Sequence, residues 1–199
     1  MLPQQVFAAY DQATHHPDRR YRYCPACGAP LSQDARERRF DHCASCGWRQ
    51  YQNPAPGVVV VITEDDSVLL GKRTDRSFAP QKWCLPGGFV EFDEDFLSAA
   101  IREVREETGL QVAIRSILSV VSNFLAAELH TLVVVLLADV VGGKPAAGDD
   151  LEELRWVSLR GPFPDLAFEA DRHIIERYAR TRLEGVPVDP LYAGGTIKT

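Results

Sequence analysis

Apolar residues in this chain gather into short, β-branched runs separated by polar turns, and the runs begin abruptly at Val58. Val58–Thr63 and Val68–Lys72 have the length and composition of strands, with Glu64, Asp65 and Asp66 as the hairpin turn between them. Thr74 to Gly88 has no period and reads as a loop. The rhythm then changes. Leu97, Ala100, Ile101 and Val104 share one strip at helical spacing, which predicts a helix over 94–108. Asp93 is the expected N-cap, acidic residues fill the expected first turn, and Gly109 is the stop. Strand rhythm returns at Val112–Val121 and Thr131–Val140. A loop from Gly142 to Asp150 leads to a strand at Leu154–Ser158, and a closing helix is expected over 165–182. This order predicts an α/β fold: a mixed sheet with helices on both faces, an α/β/α sandwich.

The pattern before Val58 is different. Residues 1–20 read as a short helical lead-in, with Val6, Phe7 and Tyr10 apolar, followed by a polar segment ending at Pro17. Residues 21–52 hold four of the five cysteines and few aliphatic residues. Asn53-Pro54-Ala55-Pro56-Gly57 is a stiff, irregular join. The expected units are therefore a lead-in (1–20), a small cysteine module (21–52), a main domain (53–185) and a tail (186–199).

Composition sharpens this division. Of 199 residues, 28 are acidic and 22 are Lys or Arg, a net charge of −6. Such a chain is a poor general ligand for nucleic acid, whose phosphates call for cationic side chains. The charge is uneven, because seven arginines lie between Arg19 and Arg49 against Asp34, Glu37 and Asp41. The picture is a mildly basic module on an acidic body. The longest apolar run, Leu132 to Val141, is broken by Asp139 and is shorter than the ~20 residues a membrane span needs. With no charged start, apolar run and cleavage site at the N-terminus, a soluble cytoplasmic protein without a membrane partner is expected.

Two places carry candidate chemistry. Cys24-x-x-Cys27 and Cys43-x-x-Cys46 form C-x2-C-x15-C-x2-C, the spacing of a structural zinc site. Four thiolates satisfy tetrahedral Zn²⁺ and leave no open position for catalysis. Gly28 and Gly47 follow the second cysteine of each pair, where a tight turn can aim N–H groups at sulfur. Two disulfides are the competing reading, which fits poorly with an intracellular chain. His42 reads as a surface residue and Cys84 as a small buried hydrophobe.

The second place is the predicted helix. Glu103 and Glu107 are four residues apart and stack on one face, with Glu106 on the neighbouring strip. Crowded carboxylates raise one another's pKa, and a hard dication such as Mg²⁺ reverses that cost. An ordinary solvated face, neutralised by Arg102 and Arg105, explains the acids one at a time. It does not explain Leu85-Pro86-Gly87-Gly88 just ahead, where bare backbone can turn sharply and offer carbonyl oxygen.

Gly88-x5-Glu94-x7-Arg102-Glu103-Val104-x-Glu106-Glu107-x-Gly109-Leu110 matches all nine constrained positions of the Nudix box. The chain is thereby similar to Nudix hydrolases over roughly residues 57–182. The resemblance implies a metal-dependent pyrophosphohydrolase that uses Mg²⁺ or Mn²⁺ to cleave a diphosphate linkage. It implies that Glu103, Glu106 and Glu107 ligate or position the metal, with the Gly87 carbonyl as a further ligand. Arg102 would orient a neighbouring glutamate, Glu94 would support, and Gly88 and Gly109 would be backbone turns. The general base varies in the family: Glu106 is one candidate, and Glu152 or Glu153, ahead of the late strand, are others.

A zinc ribbon ahead of this box resembles the NADH pyrophosphatase branch and plastid FAD pyrophosphatases, the latter also in Tyr51-Gln52-Asn53-Pro54. The NADH-branch motif S-Q-P-W-P-F-P-x-S is absent; the region reads Ser119-Val120-Val121-Ser122-Asn123-Phe124-Leu125. A dinucleotide such as FAD, NADH or ADP-ribose, cleaved to release AMP, is the expected substrate class by analogy. Phe78, Trp83, Phe89, Phe124 and Trp156 are candidate stacking residues that could equally be core. Arg73 and Arg76 could meet phosphate or simply be loop arginines. The competing function is a nucleotide-sensing or RNA-binding module that uses the arginine-rich ribbon without turnover. A homodimer is compatible with either.

Overall fold

The structure, a computed structural model, describes residues 6–7, 21–31, 40–51, 53–126 and 129–194. In chain order the strands are β1 (Val6–Phe7), β2 (Phe40–His42), β3 (Arg49–Tyr51), β4 (Ala55–Glu64), β5 (Ser67–Arg73), β6 (Trp83–Cys84), β7 (Leu110–Ala126), β8 (Leu129–Gly143), β9 (Leu151–Ser158) and β10 (Val186–Pro187). The helices are α1 (Phe96–Thr108), between β6 and β7, and α2 (Glu169–Thr181), after β9.

The main sheet runs β1-β7-β8-β4-β5-β6, with β9 on β5 and β10 beside β7. It is mixed: β4 lies parallel to β8, with Val58 opposite Val134, while β7–β8, β4–β5 and β5–β9 are antiparallel. The β-branched run of β4 explains its central place, for Val60, Val61 and Ile62 are all fully buried. A strand buried on both faces needs apolar residues at consecutive positions.

Strand alternation divides the core in two. Val58, Val60, Ile62, Leu136 and Ala138 face one side and pack with Leu97, Ala100 and Val104 of α1. Val61, Val135 and Leu137 face the other side and pack with Ala170, Ile174 and Ile175 of α2. Each large aliphatic side chain so buried contributes about 1.5–3 kcal/mol. The expected α/β/α sandwich with a mixed sheet is the observed fold.

Several element boundaries differ from the sequence reading. Asp95, not Asp93, caps α1: its carboxylate accepts from the N–H groups of Leu97 at 2.8 Å and Ser98 at 3.2 Å. The first turn of α1 holds no acidic residue, because Glu94 lies ahead of the cap and is drawn to Arg102. Gly109 does end the helix, in the left-handed conformation at φ 69°, where an added Cβ would come within 2.6 Å of the Lys144 carbonyl oxygen.

The loop expected over 74–88 contains β6, and α2 starts at Glu169, four residues later than expected. Residues before it lie along β6 instead: Trp83 N–H donates to Asp165 and Ala167 N–H donates back to Trp83. Of the lead-in, Val6–Phe7 is a strand parallel to β7 rather than part of a helix, and the remainder of 1–20 lies outside the described residues. Residues 186–187, read as tail, pair with β7, and the Ala193 carbonyl accepts from Ile114 N–H at 3.1 Å.

Candidate active site and metal centre

The loop Leu85–Gly88 is pinned between β4 and α1, and this fixes the site. Val58 N–H donates to the Gly88 carbonyl at 2.9 Å and Val60 N–H to the Pro86 carbonyl at 2.8 Å. Gly87 has φ 151°, and a Cβ there would lie 2.2 Å from the Val58 carbonyl oxygen. Only glycine fits such an approach without shifting β4. Gly88 lies against Glu103, with its would-be Cβ 2.4 Å from Oε1. The Gly-Gly pair therefore lets the helix bring its carboxylates onto the loop backbone.

On α1 the acids differ in environment. Glu107 is 2% exposed and accepts from Gly87 N–H at 2.8 Å. Burial pushes its carboxyl up to about 9, helped by the neighbouring Asp150 and Glu103 and opposed by the Gly87 N–H. Glu103 is also buried and raised for the same leading reason. Glu106 is partly exposed. Arg102 gathers the group: its guanidinium donates to Glu94 at 2.6 and 3.0 Å, Glu103 at 2.9 Å, Glu106 at 3.1 Å and the Phe89 carbonyl at 3.1 Å. Its two-pronged hold draws the Glu94 carboxyl below its ordinary value.

Glu103, Glu106, Glu107, Gly87, Gly88 and Arg102 all line one cavity of about 580 Å³. Glu94 stands behind Arg102, and Gly109 at the far end of α1. Glu152 and Glu153 are not brought to the cavity. Glu152 pairs with Lys72 at 2.7 Å and Glu153 with Arg155 at 2.8 Å, both on exposed positions of β9.

The cavity instead receives Asp149 and Asp150, immediately ahead of β9, and Asp171 from α2. Asp150 pairs with Arg73 at 2.7 Å through Oδ2, while its Oδ1 is buried without a hydrogen-bond donor. Asp171 is fully sequestered, accepts from Leu85 N–H at 3.0 Å, and burial pushes it up to about 7. The acidic run ahead of β9 was visible in sequence, but its register against β5 decided which acids turn inward. Asp171 carried no signal, since it reads as an ordinary first-turn helix acid.

Buried, mutually repelling carboxylates and an orphaned Asp150 oxygen form a donor set suited to a hard dication, which prefers oxygen ligands and offsets their charge.

Of the aromatic candidates, Phe78 and Phe89 line the cavity, while Trp83 belongs to the core under α2 and Trp156 packs against the core under α1. Phe124 stacks on His130 at 4.0 Å. Phe168, not singled out in the sequence, joins the cavity wall. Arg73 lines it too, whereas Arg76 does not.

The second centre is the cysteine module. The sulfurs of Cys24, Cys27, Cys43 and Cys46 all lie within 4.8 Å of one another, the one such group among the described residues. Two of the separations, Cys24–Cys46 and Cys27–Cys43, are 3.6 Å. A tetrahedral ion with ~2.3 Å bonds to sulfur spaces its ligands by about 3.8 Å, so the cluster could hold one such ion, and the four thiols are free of disulfides. Each pair sits on the same tight turn: Gly28 N–H donates to Cys24 and Gly47 N–H to Cys43, with φ 74° and 78° at the two glycines. The Cys46 backbone N–H, foremost, draws the Cys43 thiol below its ordinary value.

Comparisons with known proteins agree on one family. Residues 53–178 match the NUDIX domain. An ADP-ribose pyrophosphatase of Methanocaldococcus jannaschii is 40% identical over 136 residues, which is 67% of this chain and 78% of the relative. An NAD-capped RNA hydrolase, NudC, of Pseudomonas aeruginosa is 34% identical over 167 residues, 82% of this chain but 58% of the relative. The chain thus spans less than two thirds of the length of these NudC relatives. Among solved structures, a NUDIX hydrolase from Nitrosomonas europaea superposes with a TM-score of 0.68 at 26% identity, over 84% of this chain and 96% of the other. No helix among the described residues is long and apolar enough to cross a membrane.

Proposed function

The chain belongs to the Nudix family, and on that premise we propose that it hydrolyses a dinucleotide-type diphosphate (ADP-ribose, FAD, NADH or an NAD-like cap on RNA) to AMP and a second phosphorylated product. The observation that carries this reading is the buried Glu107, held by Gly87 N–H and crowded by Glu103 and Asp150, inside a cavity large enough for a nucleotide. Pockets of roughly 300–1,000 Å³ suit ligands of that size.

Glu103, Glu106 and Glu107, with the Gly87 carbonyl as a further donor, would hold a divalent cation, Mg²⁺ or Mn²⁺, which would supply charge neutralisation at the diphosphate and a more acidic water. The chain's own residues do the remainder. Arg102 sets the rotamers of Glu103 and Glu106 through charge-assisted hydrogen bonds. In this reading Asp150 or Glu106, both of which line the cavity, accepts the proton of the attacking water. Either is favoured over Glu152 and Glu153, which pair with Lys72 and Arg155 and do not line the cavity. Water attacks one phosphorus and the other phosphate departs with its nucleoside or sugar.

The cysteine module, in this reading, is a zinc ribbon that stabilises residues 21–52 and does no chemistry, since a four-thiolate site is closed. The competing sensor or RNA-binding reading without turnover draws no support from the relatives, whose names describe hydrolysis.

The test is chromatography of products after incubation with Mg²⁺ or Mn²⁺ and ADP-ribose, FAD, NADH, NAD-capped RNA, coenzyme A, CDP-choline and nucleoside triphosphates. AMP with a complementary phosphate-bearing fragment from one dinucleotide is expected. Glu107→Gln should lower that rate by at least roughly a hundredfold, about 2.7 kcal/mol of activation free energy, while leaving the melting temperature intact or higher. No cleavage of any compound, or near wild-type turnover by the variant, overturns the reading.

A further inference from the structure

The wall of the cavity beyond Asp150 carries two aromatic rings for which the hydrolytic chemistry has no use. Phe78 comes from the loop between β5 and β6, and Phe168 is the residue that precedes α2. Their rings are parallel to within 3° with centroids 6.2 Å apart. Phe78 is 51% exposed, although it borders the cavity of about 580 Å³. A half-bare ring at a cavity mouth is a surface that gains by being covered.

Arg73 ties this pair to the carboxylates. Its Nε donates to the Phe78 carbonyl at 2.6 Å, its guanidinium sits 5.6 Å from the Phe168 centroid, and its Nη2 holds Asp150 at 2.7 Å. Because the Arg73 side chain is only 11% exposed and already paired, it fixes the rings' position rather than adding a free charge.

The contacts run on to the opposite side. From Asp150 they pass to Glu107, to Gly87 and Gly88, then to Gly57, whose would-be Cβ lies 3.1 Å from the Gly88 oxygen and 3.7 Å from Val133. Beyond Val133 the wall is aliphatic and polar, from Leu125, Leu129, Asn123 and Thr131. Phe89, half exposed and bridged to Gly57, borders the cavity on this side, so the carboxylates lie between the Phe78–Phe168 pair and a mixed arm of aliphatic, polar and aromatic residues. A diphosphate joining two different moieties has the same layout, with its reacting centre in the middle.

We propose that Phe78 and Phe168 determine substrate class by stacking the aromatic base of the nucleotide half of the substrate, with Arg73 holding the pair in register with the carboxylates. The proposal rests on the pyrophosphohydrolase reading for its chemistry, but not for the binding it describes. Stacking is tolerant of which base is present, because every base has a π-face. The platform therefore selects for a flat aromatic group over a bare sugar phosphate. It does not select one base by hydrogen bonding.

The experiment compares AMP with ribose 5-phosphate by calorimetry in magnesium buffer, where neither probe has a diphosphate to lose. Wild type should bind AMP roughly ten- to a hundredfold more tightly than ribose 5-phosphate, the range that stacking one base supplies. Phe78→Ala and Phe78→Leu should both lose most of that advantage, and Phe78→Trp should keep it. Leucine retains bulk without a π-face, so its loss separates stacking from mere packing. With a dinucleotide that is cleaved, the Phe78→Ala loss should fall on KM. Equal wild-type affinity for the two probes, no binding of AMP, or unchanged AMP affinity in Phe78→Ala overturns the proposal. AMP selectivity lost in Phe78→Ala by a protein that cleaves nothing would overturn the hydrolase reading and leave the platform standing.

Discussion

Asp171 shows how much a single buried group can couple stability to pH. Its carboxyl is sequestered against Leu85 N–H and raised from 3.8 to about 7, with burial the cause. Below about pH 4 both the folded and unfolded chains hold this proton. Between there and about 7 only the folded chain holds it, so stability falls as pH rises through that window. Above it both are ionised and the folded state bears the full cost of a buried charge. Asp171→Asn keeps an acceptor for Leu85 N–H and removes the titration. Its melting temperature relative to wild type should therefore climb from pH 5 to pH 8. A difference that stays flat across that range would mean that Asp171 is already ionised in the folded chain throughout. At Gly87 the constraint is geometric. With φ 151° and the Val58 carbonyl 2.2 Å from any Cβ, Gly87→Ala must push the loop off β4. Measured by urea unfolding, it should cost at least the ~1–3 kcal/mol of a residue held in a sparsely populated backbone region, and it should displace the partner of Glu107.

At the scale of elements, α1 is the part that organises the site. One strip buries Leu97, Ala100 and Val104 on the sheet, Glu103 and Glu107 flank it in the buried half of the helix, and Arg102 and Glu106 lie further round. The start of the helix matters because Glu94 must lie outside it to reach Arg102. Asp95 secures that start through three hydrogen bonds, to the N–H groups of Leu97 and Ser98 and the Ser98 hydroxyl. Asp95→Ala should cost about 0.5–2 kcal/mol in thermal or urea unfolding. It should also lower turnover, since fraying the first turn loosens the Glu94–Arg102 clamp. Loss of stability with turnover fully retained would separate the cap from the site. The β7–β8 hairpin is longer than its apolar pattern, running from Leu110 to Gly143 through several register shifts. Exposed and half-exposed residues such as Asn123, Phe124 and His130 continue it, held by pairing rather than by hydrophobic alternation.

For the whole molecule, the cysteine cluster and the sandwich are two differently stabilised parts. The sandwich has two large apolar clusters. Among the described residues of the cysteine module the apolar cluster is Cys24, Leu31 and Cys43, with Ala29 and Trp48 against them. A cluster of that size would gain much of its stability from an ion bound by the four thiolates. Cys24→Ser should abolish bound zinc, measured by metal analysis, and expose residues 21–52 to limited proteolysis, while the unfolding transition of residues 53–194 persists. Full zinc content in that variant would contradict the four-thiolate assignment.

The sequence by itself determined the periods. Two-residue and 3.6-residue repeats specified which stretches become strands or helix, and hence a sandwich with helices on both faces. Fixed spacing specified the box on α1 and the four cysteines, because side chains three or four apart on a helix, or two turns of one shape, meet regardless of the remaining fold. Tertiary structure decided everything that depends on register between distant segments. Pairing of β9 with β5 turned Glu152 and Glu153 outward and left Asp150 facing Glu107. Docking of α2 carried Asp171 and Phe168 to a cavity whose other wall comes from residues 57–59 and 87–91. Two residues of the lead-in and two of the tail became strands because β7 offered them backbone partners, a hydrogen-bonding opportunity that no local pattern encodes.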